Sequence, residues 1–163
     1  MGIGNSAFQN CSSLTSMIIP NSVLDIGYYA FMGCESLTTI TLSNSITYIG
    51  VDTFQNCSSL TNIIIPDNVT AIEWNAFWGC SSLTSIVLPE SPVKIGETAF
   101  WGCSSLTSIT IPQNARSIDK SAFRQCSNLT SIIVNKAKDS IGDAPWGAPN
   151  MTADDVTWTG TSE

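Results

Sequence analysis

The chain has 163 residues, 43% hydrophobic and only 12% charged, with six Cys, no His and a net charge of −7. Charge is about half the roughly 25% usual for soluble domains, and Ser and Thr, 40 residues together, supply the polar surface instead. This composition excludes a disordered chain, which combines low hydrophobicity with high charge, and the missing His excludes Ser-His-Asp or Cys-His machinery and His-ligated metal.

All six basic residues (Lys94, Arg116, Lys120, Arg124, Lys136 and Lys138) lie in the C-terminal half, and six acids but no base precede Lys94. An acidic chain repels phosphate backbones and anionic bilayers, so nucleic acid and membrane surfaces are not expected partners. No apolar run approaches the roughly 18 residues of a membrane helix. The start, Met1-Gly2-Ile3-Gly4, lacks the basic and apolar regions of a signal peptide.

Read from the N-terminus, one pattern returns every 23 residues. Ile comes first, at Ile3, Ile26, Ile49, Ile72, Ile95, Ile118 and again at Ile141; Gly27, Gly50, Gly96 and Gly142 follow it directly and are expected to permit a sharp bend. Phe is next, from Phe8 to Phe123, then Cys at Cys11, Cys34, Cys57, Cys80, Cys103 and Cys126. A Leu-Thr pair follows each Cys, beginning at Leu14. The A-F-x-x-C-x-x-L segment is expected to return the chain as a short helix, a 3₁₀ turn or an irregular bend, because apolar residues three apart eclipse in a tight turn. Each unit ends in alternation, as in Ile109 and Ile111, which makes a short strand. Pro20, Pro66, Pro89 and Pro112 close four of these strands. One such coil cannot bury its apolar side alone, and stacking does so. The expected fold is a right-handed repeat solenoid with a parallel β-sheet on one face: residues 1–141 form a six-fold array, and 142–163, where Trp146 replaces Phe, a C-terminal cap with a frayed end.

A period of 20–29 residues with L-x-x-I-x-I is a leucine-rich-repeat signature. The unit I-G-x-x-A-F-x-x-C-x-S-L-T-x-I-x-I-P, best seen from Ile95 to Pro112, resembles the BspA-like, or Treponema-type, leucine-rich repeat, and the likeness runs from residue 3 to about 146. The resemblance implies a curved solenoid of secreted or surface proteins in mucosal bacteria and some protists. It also implies adhesion to host matrix proteins or to other microbial cells. Ile3 enters in mid-repeat with no strand before it. The expectation is therefore a piece of a longer array, its export signal upstream, whose uncapped first coil stacks end to end on another molecule.

Six cysteines at one repeat position read as a ladder of buried thiols acting as small hydrophobes, not as a disulfide framework. Ligands in line cannot form the zinc tetrahedron, and no metal or cofactor is expected. The outward strand positions are the candidate ligand face: Ser16, Ile18, Thr39, Thr41, Asn62, Ile64, Ser85, Val87, Ser108, Thr110, Ser131 and Ile133. None is charged or aromatic, so these side chains serve equally to make good sheet. Among these outward positions only Thr39 and Thr41 form a T-x-T pair, too little for an ice-binding face. Trp78 and Trp101 share one position on neighbouring coils, between Met32 and Arg124, with Trp74, Tyr28, Tyr29 and Tyr48 on adjoining bends. These aromatics stack on a protein or glycan ligand, or they pack the return segment. Asn68, Asn128 and Asn150 head glycosylation triplets. No acid–base pair or phosphate loop is visible. The reading is a non-enzymatic surface adhesion module. Its rivals are a structural spacer and a phage receptor-binding segment.

Overall fold

The computed structural model describes residues 1–138 and 140–160. Each repeat makes two short strands where the sequence pattern indicated one. In chain-order numbering, the first series is β1 (Gly2–Ile3), β3 (Asp25–Ile26), β5 (Tyr48–Ile49), β7 (Ala71–Ile72), β9 (Lys94–Ile95) and β11 (Ser117–Ile118). The second is β2 (Ser16–Ile18), β4 (Thr39–Thr41), β6 (Asn62–Ile64), β8 (Ser85–Val87), β10 (Ser108–Ile111), β12 (Ser131–Val134) and β13 (Val156–Trp158). All pairing is parallel, and from β1 to β12 it keeps the 23-residue register, as in Ser16 against Thr39 and Ile72 against Ile95. The first series forms the β1–β3 pair and the sheet β5–β7–β9–β11; the second forms β2–β4, β6–β8 and β10–β12–β13. The parallel β-solenoid expected from the spacing is the fold observed.

The return segment holds no helix. It is a chain of turns: Cys57 N–H donates to the Phe54 carbonyl at 3.1 Å, and Leu60 N–H to Cys57, also at 3.1 Å. Phe54 N–H, by contrast, donates to Ala76 on the next coil at 2.8 Å. The residue before each Cys has positive φ, from 58° at Asn10 to 72° at Gly33 and Gly79, and this stops helical propagation. Three of the four glycines after the repeat Ile have a different role from the expected bend. A Cβ on Gly27 would lie 2.5 Å from the Asn5 backbone nitrogen, and one on Gly50 2.9 Å from the Tyr28 ring. Close approach of the preceding coil selects Gly at Gly27, Gly50 and Gly96; Gly142, where a Cβ would meet nothing nearer than 3.9 Å, has a φ of 96°, as the expected bend requires.

Inside, every ladder continues from coil to coil. The rings of Phe8, Phe31, Phe54, Phe77, Phe100 and Phe123 stack with centroids 5.1–5.6 Å apart. The Thr after each Leu also has a structural part: Thr84 Oγ1 donates to the Thr61 carbonyl at 3.0 Å, and Thr38 Oγ1 to Thr15 at 2.9 Å. At the C-terminal end Trp146, fully buried, meets Phe123 edge-on at 6.4 Å and closes the stack. A 3₁₀ turn (Ala153–Asp155) follows, and the Asp155 carboxylate accepts from the Thr152 N–H at 2.7 Å, which holds its carboxyl below the ordinary range. Strand β13 then sets Val156 beside Ile132, so this last unit is one residue longer than the others. Of the expected cap, residues 161–163 lie outside the described residues, as does Asp139 of the array.

Candidate interaction surfaces

The second strand series presents its outward side chains in rows. Ser16, Ile18, Thr39, Thr41, Asn62, Ile64, Ser85, Val87, Ser108 and Thr110 are all exposed, whereas Ser131 and Ile133 are half-buried where β13 pairs beside β12. Three branched aliphatic side chains stand well out of this uncharged face: Ile18 at 77% exposure, Ile64 at 68% and Val87 at 56%. The rows are rigid, because each strand's inner residues, such as Ile63 and Ile86, lock into the core. A shallow groove runs between β4 and β6, lined by Thr39, Thr41, Asn62 and Ile64.

The turns present a second surface. Trp78 and Trp101 lie on adjacent coils, where Gly79 N–H donates to the Trp101 carbonyl at 2.7 Å, and both are half-buried. One face of Trp101 is taken by the Arg124 guanidinium, 4.8 Å from the ring centroid. Further round the coil Tyr28 and Trp74 are more exposed than either. They occupy one repeat position, two coils apart with Val51 between, a coincidence visible in the 23-residue register. Tyr48 donates its hydroxyl to Asp25 on the coil before, and this bond holds its proton up to about 12.

The cysteines of coils two to six are buried free thiols, as expected, whereas Cys11 in the first coil is exposed. Each buried thiol donates to the Phe carbonyl of the preceding coil, as Cys80 to Phe54 at 3.1 Å and Cys126 to Phe100 at 3.1 Å. That carbonyl already accepts from its own coil's Cys N–H, so both of its lone pairs are used. Burial pushes Cys34 up to about 11 and Cys80 and Cys126 to about 12, which leaves them protonated and unreactive. Asp52 is buried too, with φ of 55° and a carboxyl raised by burial. Among the described residues no three His, Cys, Asp or Glu side chains are placed to hold a metal ion. The amides of Asn68 and Asn150 are tied to the preceding coil, donating to Asn44 at 2.7 Å and Ser127 at 2.6 Å.

Residues 48–146 match, in six copies, the model of the BspA type leucine rich repeat region. The chain belongs to the BspA-type leucine-rich repeat family. A leucine-rich repeat protein from Bacteroides ovatus is 30% identical with a TM-score of 0.62, the match covering 87% of this chain and 45% of that one. A leucine rich cell surface protein from Faecalibacterium prausnitzii is 32% identical with a TM-score of 0.57, over 85% of this chain and 31% of that one. The Treponema pallidum leucine rich repeat protein is 29% identical with a TM-score of 0.58, over 98% and 63%. The BspA-type chain thus spans less than two thirds of each of these solved proteins. No curated protein matches it.

Proposed function

We propose that this BspA-type array is a non-enzymatic adhesion and protein-interaction module displayed on a cell surface. The observation that carries the reading is the second-series strand face, where Ile18, Ile64 and Val87 project from rigid, uncharged rows. An apolar side chain held out in water by a rigid scaffold loses little entropy when a partner covers it. A surface setting is supported by the name of the Faecalibacterium prausnitzii protein, a leucine rich cell surface protein. The uniform coils also suit a spacer that displays another segment. Adhesion of the purified chain to immobilised host matrix proteins and to whole microbial cells separates the two readings. Binding is expected, and the triple variant Ile18→Asp, Ile64→Asp, Val87→Asp is expected to abolish it with melting unchanged. Undiminished adhesion by that variant removes the strand face from the proposal, and a chain that adheres to nothing is a spacer.

A further inference from the structure

A second surface carries a chemistry of its own. At the corner between the first-series sheet and the turns, the rings of Tyr28 and Trp74 are 46% and 52% exposed. Coils repeat at about 4.8 Å, so two coils separate these rings by about 10 Å along the solenoid axis. The Tyr28 ring lies in the opening left by Gly50, and Tyr48, whose hydroxyl is bound to Asp25, flanks it. Two carboxylates frame the corner, Asp25 beside Tyr48 and Glu73 next to Trp74 in sequence, both exposed. No Lys or Arg occurs before Lys94, which sits beside Ala71 in the sheet. Along the aromatic ladder the next coil contributes Glu97.

Exposed rings offer their negative faces, and the carboxylates add to the same field. We propose that this corner binds a basic extended peptide segment of a partner protein, with arginine or lysine side chains over Tyr28 and Trp74 and paired to Asp25 and Glu73. A segment in the extended polyproline II conformation rises about 3.1 Å per residue and returns to the same face every third residue, so cations three residues apart match the ring spacing. The molecule already uses this contact internally, where Arg124 covers Trp101. A glycan fits the corner less well, because the Tyr48 hydroxyl is committed to Asp25.

The inference rests on the chain being an interaction module, but it uses a different face from the strand rows. The test is fluorescence anisotropy of the full chain with a labelled peptide carrying Arg at every third position and Gly and Ser between. Controls are the same peptide with Glu and a neutral glucose oligosaccharide. Binding of the Arg peptide is expected to weaken about tenfold in Tyr28→Ala/Trp74→Ala. Asp25→Asn/Glu73→Gln should flatten its salt dependence, and Ile18→Asp/Ile64→Asp should leave it unchanged. Wild-type affinity in the aromatic variant would reduce the binding to net charge and overturn the proposal, as would binding of the oligosaccharide but not the Arg peptide. If the corner fails while the strand-face variant still abolishes adhesion, the interaction-module reading stands. If the corner holds and strand-face substitutions change nothing, the strand-face reading falls alone.

Discussion

The first coil and the five that follow it are written in nearly the same residues yet have different physical properties. Phe8, Leu14 and Met17 are half-buried and Cys11 is exposed, while Phe77, Cys80 and Leu83, at the same repeat positions, are fully buried. Local sequence does not set burial here; the neighbouring coil does. A ring at the end of the Phe stack has one partner and a ring within it has two. Stability of such an array is close to a sum of coil and interface terms, so the same substitution should cost most where two interfaces share the residue.

The largest effect expected from this contrast is at the rings. Phe77→Ala should lose about 3–5 kcal/mol, as for a large core side chain that leaves a cavity. Phe8→Ala, half-solvated already, should lose about 1–2 kcal/mol. Urea unfolding of the two variants measures the difference, and equal losses would break the interface account. The thiols come next. A disulfide reagent at about pH 8 should modify Cys11 in the native chain and the other five only after unfolding. The alkaline limb follows from the same burial. Cys80 rises from 9.0 to about 12 on folding, so the unfolded chain releases this proton first. Its contribution is complete below pH 9 and drains away as pH rises towards 12, by about 1.4 kcal/mol per pH unit. Cys80→Ala should flatten the fall of stability between pH 9 and 11 by one proton, and an unchanged slope would mean the thiol is already ionised when folded.

The interior was legible in the sequence because every inward position repeats: Ile, Phe, Cys, Leu and the paired strand residues each mark a ladder, and each ladder is buried. Trp146 could be placed on the Phe rung by register alone. The first strand series could not be read, since two residues with one Ile inward show no alternation. Gly27, Gly50 and Gly96 were legible as special but not for the right reason, because a bend is local and a close approach belongs to the preceding coil. The strand face was placed by counting outward positions, except that Ser131 and Ile133 are partly covered by a strand formed by the irregular tail. At the turns the shared position of Tyr28 and Trp74 was present in the 23-residue register. Exposure decided its significance, and exposure is a property of the assembled coils.

The finest test of neighbour control lies at the residue before Cys, where φ is positive in every coil and Asn10, Gly33, Asn56, Gly79, Gly102 and Gln125 succeed one another. Asn precedes Gly twice for a steric reason. A Cβ on Gly33 would fall 2.3 Å from Asn10 Oδ1, and one on Gly79 2.4 Å from Asn56 Oδ1. At Gly102 the preceding residue is Gly79, and a Cβ meets nothing nearer than 3.7 Å. Gly102→Ala should therefore cost only the left-handed backbone penalty, about 1 kcal/mol. Gly79→Ala carries the same penalty and must also displace the Asn56 carboxamide, for about 1 kcal/mol more. Coupling is the decisive quantity. In the Asn56→Ala background Gly79→Ala should cost no more than Gly102→Ala, and a double-mutant cycle measured by urea unfolding reads that recovery directly. Additive losses would show that the Asn–Gly succession answers to each coil's own backbone and not to the side chain stacked beneath it.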